Sequence, residues 1–485
     1  MSATFPHRHP APRLPKRLPT RLLAGLLSTL LAGCAAGALT HPPLETPMPA
    51  GYSADHAQWQ PAQDWSAQPA GAWWQVFADP ELDALQQQLE AHNQSLAAQL
   101  AAYDQAQAAV RQAQASYWPA LNASIGDTRA RTAISAGVNE QASAEVTASW
   151  VPDLWGKVRE QVRAQRANAQ ASATTLRNVR LSLQATLAQS YLQLRVVDAQ
   201  QRLAQQAMDD TGKALELTQN RYRAGVATAA DVASARTAHL QAQTSLTDLG
   251  VTRAQLQNAI AVLVGQPPSG FQLAARDALP AIPAIPPGLP ADLLQRRPDI
   301  ATARAQVEAA NAQVGVAKSA WFPTLTLGGS AGHSATRLAD VFSAPVLLWS
   351  LGPQLAANLF DGGARRAQVR SSEAGYRQAV ANYRQAVLAA LQGVENQLAA
   401  QRILATEAEQ QAQVVQAAED ALRLAQNQYK AGLAPYLNVL TAQSTAINTR
   451  NAELTLRNRR YASAVALVQA LGGEWQAPPG TPATH

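Results

Sequence analysis

Twice in this chain a long stretch contains no proline, from Pro152 to Pro267 and again from Pro353 to Pro435. Proline removes a backbone donor and breaks helix interiors, so its absence over such lengths permits uninterrupted helix. The apolar spacing asks for one. Leu183, Leu187, Tyr191, Leu194 and Val197 recur at steps of three and four, the period of a helix face. The pattern predicts one helix over about 154–223, running through Gly212, and another over about 363–430. A helix of about 70 residues would be roughly 105 Å long at 1.5 Å per residue, more than any globular core needs.

Each rod ends at a glycine and is followed by a shorter helix, about 228–264 after Gly225 and about 436–471 after Gly432. A glycine just past a helix end takes the left-handed conformation at no steric cost, so both mark C-caps followed by tight reversals. The restarts differ: Thr228 and Asp231 fit a capping box, whereas Pro435 offers first-turn geometry. Tyr222 and Tyr429, Gly225 and Gly432, Val232 and Val439, Arg253 and Arg460, and Gly265 and Gly472 share one offset of 207 positions. A single long period means internal duplication rather than a solenoid.

Upstream, "FADPEL" starts a helix with Asp79 as N-cap, Pro80 at the first position and Glu81 at the positive end of the dipole, and the helical pattern continues to about Tyr117. The shorter helices at about 84–116 and 228–264 together match the first rod in length, which suggests a wall of constant height. Between helices lie four stretches of period-two alternation. "SAEVTASW" sets Ala144, Val146, Ala148 and Trp150 against Ser143, Glu145, Thr147 and Ser149. "SLGPQLAANLF" sets Leu351, Leu355, Ala357 and Leu359 against Ser350, Gln354 and Asn358. Their partners start at Pro119 and Pro323, giving one hairpin per half over 119–152 and 323–360. Alternation alone fits an amphipathic soluble hairpin as well as a membrane barrel. Aromatic placement favours the barrel: Trp118, Trp150, Trp155, Trp321 and Trp349 flank or terminate the strands, where rings with a polar edge collect at a membrane interface. Four strands cannot close a membrane barrel, so chains must share one. Three copies would give twelve strands and room for water, which favours a homotrimer.

The N-terminus bears on destination. The sequence pI of about 9.6 comes from Arg8, Arg13, Lys16, Arg17 and Arg21, without which 34 basic residues face 33 acidic ones. No nucleic-acid surface is implied. These residues lead into "LLAGLLSTLLAG", too short to span a bilayer and shaped like a signal-peptide core. It ends at "LAGC" with Cys34, the chain's single cysteine, which excludes a disulfide framework and resembles a bacterial lipobox. The lipobox reading makes Cys34 an acylated anchor in outer-membrane lipid; the plainer one is an ordinary signal peptide with a chance cysteine.

Most of the mature chain resembles the TolC-like outer-membrane efflux proteins, in the lipoprotein branch that serves RND-type pumps. The residues that carry the resemblance are "LAGC", "WWQVFADPELDAL", "PDLWGKVR", "GLPADLLQRRPDI", "VGVAKSAWFPTLTLGG", "LFDGGARRAQV" and "LGGEW", whose order across some 400 residues is specific. The resemblance implies a mainly α fold with a membrane β-barrel: long helical hairpins forming a periplasmic tunnel and four strands per chain in a shared trimeric 12-stranded barrel. It also implies docking on a periplasmic adaptor and an inner-membrane RND pump, with no chemistry of its own and no cofactor. On the same ground Gly225, Val226 and Ala227, with Gly432, Leu433 and Ala434, are the expected adaptor contacts. Family channels often narrow beyond the second tip through acidic residues. Here Tyr429 keeps the tip tyrosine, but Asn438 and Thr441 stand at the matching positions, so a carboxylate ring is in doubt. Arg304 departs as well, standing where the stretch after "RRPDI" often carries an acid.

On these marks the chain divides into a signal peptide (1–33), a lipidated lead (34–78), a first repeat (79–266; rod 154–223, tip 224–227) and a Pro-rich linker (267–296). A second repeat (297–475; rod 363–430, tip 431–435) and a disordered tail (476–485) follow. "GGSAG" at 328–332 matches a nucleophile-elbow pattern, yet Ser330 lies in an expected strand rather than before a helix, so no catalytic residue is assigned. The histidines show no metal spacing. A periplasmic coiled-coil scaffold lipoprotein would share the rods and a type I secretion exit duct would share the channel; the lipobox and "RRPDI" favour small-molecule efflux.

Overall fold

The computed structural model describes residues 72–131, 138–283, 285, 296–343 and 347–473. The signal peptide, Cys34, the lead up to residue 71, most of 284–295 and the tail after 473 lie outside the described residues. Two compact units divide the chain, one built from Gln112–Ala164 and Asn311–Ala374, the other from Gln165–Ala310, Gly375–His485 and the segment ending at Arg111. Among the described residues no helix is long and apolar enough to cross a membrane.

In chain order the elements are α1 (Pro80–His92), α2 (Gln94–Ala115), β1 (Ala120–Ala130), β2 (Asn139–Trp150), α3 (Lys157–Arg223), α4 (Ala229–Leu263), α5 (Pro298–Ser319), β3 (Thr324–Ala335), β4 (Leu347–Ala356), α6 (Ala364–Lys430) and α7 (Tyr436–Ala470). Duplication shows in the lengths: α3 and α6 have 67 residues each, α4 and α7 have 35, and α2 and α5 have 22. The rods are unbroken, α3 passing through Gly212, and Leu187, Tyr191, Leu194 and Val197 are buried.

One expectation fails at Asn93. The helix from Pro80 does not continue to about Tyr117 but breaks there, with Asn93 extended at φ −68° and ψ 120°. Its side-chain oxygen accepts the Leu96 N–H at 2.9 Å, capping α2, while its amide donates to the Leu263 carbonyl at 2.8 Å. The end of α4 thus meets the start of α2. The second repeat builds the same joint, where Arg297 donates to the Ala470 carbonyl at 2.6 Å. The two helices so joined have 35 and 22 residues against 67 in the rod, so the expected equality of lengths does not hold.

In the helical unit, Asp79 caps α1 by accepting the Glu81 and Leu82 N–H groups. Trp73 and Phe77, in a short 3₁₀ turn just before it, are buried in the same core as Leu187 and Tyr191. The segment after α4 is fastened rather than loose. Phe271 and Leu273 are buried, and their carbonyls accept from Gln257 and Arg253, while Ala274 accepts from Arg195. Pro280 accepts from Arg457 and Tyr461.

The other unit holds one antiparallel sheet in the order β1-β2-β3-β4. Leu121 lies across from Ala148, Gly329 from Ala148 and Leu351 from Gly329, so register is continuous across the sheet. β4 runs from Leu347 to Ala356 and does not extend to Phe360 as the alternation suggested. Ala356 pairs with Thr324, and the residue just before Thr324 is Pro323, which has no N–H to continue the ladder.

Candidate functional site

Both reversals have the same backbone. Gly225 and Gly432 stand at φ +73° and +76°. In the first, Gly225 N–H reaches the Tyr222 carbonyl and Val226 N–H the Arg221 carbonyl. In the second, Gly432 and Leu433 bond to Tyr429 and Gln428 in the same way. These are helix C-caps with a left-handed glycine. The capping box on α4 is formed in both directions, Asp231 N–H to the Thr228 hydroxyl and Thr228 N–H to the Asp231 carboxylate. The Thr228 N–H and hydroxyl hold the Asp231 carboxyl below the usual carboxylate range. Pro435 stands at the N-cap of α7 rather than within its first turn.

The two tips share one cavity of about 350 Å³, lined by Val226 and Ala227 from the first and Leu433 and Ala434 from the second. Gly432 lines it as well, whereas Gly225 does not. Asp231, Tyr429 and Pro435 line it too, with Arg221 and Tyr436, neither of which the sequence singles out. The Arg221 guanidinium lies 4.7 Å from the Tyr429 ring centroid, and Tyr429 packs against Tyr436 at 5.3 Å. The socket joins residues about 200 positions apart, which no local pattern reports. Val226 and Leu433 are 65% and 81% exposed, so the socket's rim offers apolar surface.

Of the three expected constriction residues, only Tyr429 belongs to this socket. Asn438 and Thr441 are exposed on α7, and the Thr441 hydroxyl donates to the Leu437 carbonyl of its own helix. Burial, with Tyr429 adding to it, pushes the Tyr436 phenol up to about 12. An unfolded phenol titrates near 10, so the resulting stabilisation is complete below about pH 10 and is lost as pH rises to about 12. Tyrosinate absorbance across that range should lose one late-ionising phenol in Tyr436→Phe; an unchanged curve would contradict this burial.

The sheet separates chemistry by face. Following the register, Leu121, Ile125, Val146, Leu327, Trp349 and Leu351 share one side, all of them more than a third exposed. Asn122, Ser124, Thr147, Thr326, Ser330 and Gln354 share the other. Ser330 pairs with Ser350 across strands at 3.0 Å, on a sheet face rather than an elbow. Among the described residues the outer strands β1 and β4 each leave one edge unpaired.

The aromatics cluster at the strand ends near the helices. Trp155 stacks on Phe322 at 4.9 Å and donates to the Pro323 carbonyl, and Trp150 donates to the Tyr117 carbonyl. Arg365 lies over Trp321 at 4.9 Å while binding Asp361. Trp118 is exposed at the same end; Trp349 is exposed within β4. Among the described residues no cluster of His, Cys, Asp and Glu could hold a metal ion.

Comparison with known proteins gives a consistent result. The model of the family described as outer membrane efflux protein matches residues 85–266 and 289–473. The pyoverdine export outer membrane protein OpmQ of Pseudomonas aeruginosa is 35% identical over 419 residues, which cover 83% of this chain and 87% of that protein. The probable efflux pump outer membrane protein TtgC of Pseudomonas putida is 30% identical over 411 residues, 83% of this chain and 85% of that one. Among solved structures, the outer-membrane channel OprN aligns with a TM-score of 0.80 at 28% identity, covering 90% of this chain and all of that one.

Proposed function

This chain belongs to the outer membrane efflux protein family, and we propose that three copies join their sheets into one twelve-stranded barrel. Through it small toxic compounds or drugs would leave for the exterior, delivered by a periplasmic adaptor and an inner-membrane RND pump. The observation that carries this reading is the sheet: one face apolar and exposed, the other polar, both edges open. An exposed apolar sheet face needs lipid, and unpaired edges need partners. On this reading Ile125, Val146 and Leu351 meet lipid and Asn122, Thr147 and Gln354 line water. The aromatics at the strand ends mark the periplasmic interface, and acylated Cys34 adds the second anchor.

The tips are the docking surface for the adaptor. Val226, Ala227, Leu433 and Ala434 present apolar surface around a socket floored by Tyr429 and Tyr436, and Gly225 and Gly432 hold the reversals that expose it. Tyr429, Asn438 and Thr441 would narrow the passage by size and polarity rather than by charge. The protein acts as a passive conduit without catalysis.

Deleting the gene should raise sensitivity to dyes and antibiotics, restored by the wild-type chain. Val226→Asp with Leu433→Asp should reach the outer membrane in normal amount yet leave cells as sensitive as the deletion. Full restoration by that double variant would overturn the tip assignment. A deletion that instead blocks export of a protein would point to a secretion duct, and an elongated soluble body after delipidation to a scaffold.

A further inference from the structure

The sheet carries an apolar feature that its lipid-facing stripe does not account for. β4 ends at Ala356, and the turn that follows exposes Leu359 and Phe360 to 92% and 89%. Successive side chains on an extended strand point to opposite faces, so a lipid-facing stripe takes alternate residues. Two adjacent apolar side chains on a turn project in different directions, as lateral packing against another body requires.

The turn is held in place. Asp361 accepts the N–H groups of Gly363 and Arg365, and its carboxylate binds the Arg365 guanidinium at 2.5 Å. Gly362 and Gly363 at φ +61° and +93° let the chain enter α6 immediately after the pair. Leu359 and Phe360 are therefore presented by a capped turn.

A complementary surface stands on the opposite edge. Trp118, 76% exposed, precedes β1, and Leu121, 73% exposed, lies within it. Register places both patches at the same end of the sheet: Ala120 lies across from Ser149, Ser149 from Gly328 and Gly328 from Gly352, four residues before Ala356. A contact between opposite edges is heterologous, and heterologous contacts close into rings when the rotation permits.

We propose that Leu359 and Phe360 of one copy pack against Trp118 and Leu121 of the next, an apolar clasp that continues the edge pairing of β4 with β1 and fixes the copies in the ring. The proposal rests on the shared-barrel reading, and its test separates the two. The mass of the wild-type full chain in detergent, from light scattering, reports the shared barrel. Trp118→Cys with Phe360→Cys, oxidised in membranes, reports the clasp.

A covalent ladder reaching three chains on a denaturing gel is expected for the pair and for neither single variant. Leu359→Ser with Phe360→Ser should lower the temperature at which the trimer separates by roughly 10 °C. A trimeric wild type without the ladder would remove the clasp and leave the barrel standing, whereas a monomeric wild type would remove both. A serine variant that alters membrane extraction but not trimer dissociation would assign the pair to lipid and overturn the clasp.

Discussion

Replacing Asp198 by alanine is expected to lower the stability of the helical unit by about 3–5 kcal/mol, the range for removing one member of a buried ion cluster. Asp198 is 1% exposed and accepts from Arg195 and Arg253, both at 2.8 Å. Arg195, equally buried, also binds Glu81 at 2.6 Å and covers the Tyr191 ring at 4.7 Å. Without Asp198, two guanidinium groups would be held together with one compensating carboxylate fewer. Their repulsion would be screened little at that depth. The damage should not stay local, because the same two arginines hold the strap that follows α4 (267–283): Arg195 donates to the Ala274 carbonyl and Arg253 to that of Leu273. Protease sensitivity within 267–283 should therefore rise together with the drop in denaturant midpoint.

Arg202 provides the internal comparison. It binds Asp277 in the same strap, but Asp277 is 94% exposed, and a pair so open to solvent contributes about 1 kcal/mol or less. Equal midpoints for Asp198→Ala and Arg202→Ala would contradict the burial argument. Burial also pushes the Tyr191 phenol well above its ordinary value, aided by its bond to Asp79. Tyr191 thus remains a donor to Asp79, and the cluster reaches from α3 to the cap of α1.

These contrasts show which parts of the fold could be read from the sequence. The rods could, because proline-free length and three-to-four spacing are local properties, and Leu187, Tyr191 and Leu194 are buried as their spacing requires. The tip glycines could as well, since a left-handed residue just past a helix end is most often glycine. The break at Asn93 could not. No proline or glycine marks it, and what stabilises it is the Leu263 carbonyl, 170 positions away. Arg195 and Asp198 have the i, i+3 spacing of an ordinary helix-surface pair; Glu81 of α1, Arg253 of α4 and the Ala274 carbonyl, all distant in sequence, enclose them. The socket at the tips was half visible. Its rim lies next to the two glycines, but the Arg221 to Tyr429 contact joins two repeats and has no signature in either. At β4 the alternation ran past the true end, because the strand stops where its partner reaches Pro323 rather than where its own pattern changes.

Gly265→Ala should be more damaging than the same substitution at Gly225 or Gly472. Gly265 has φ +72°, so any side chain there pays roughly 1–2 kcal/mol for the left-handed conformation. Gly225 at φ +73° carries the same strain, and a Cβ there would meet nothing within 4 Å. At Gly265 a Cβ would lie 2.3 Å from the His92 carbonyl oxygen, a backbone atom that cannot swing aside. Relieving that overlap means separating α4 from the end of α1 and the break that follows it, at a further cost of about 1–3 kcal/mol. The Asn93 bond to Leu263 would be stretched by the same movement. Gly472, its counterpart, has φ +96° and places a Cβ 3.0 Å from the Arg296 carbonyl oxygen, so Gly472→Ala should fall between the two. Denaturant midpoints should rank Gly265→Ala lowest, then Gly472→Ala, then Gly225→Ala, and amide exchange should accelerate at Leu96 in the first alone. If Gly265→Ala matched Gly225→Ala, the joint would be loose enough to absorb a methyl group, and the close approach to the His92 carbonyl would carry no stability of its own.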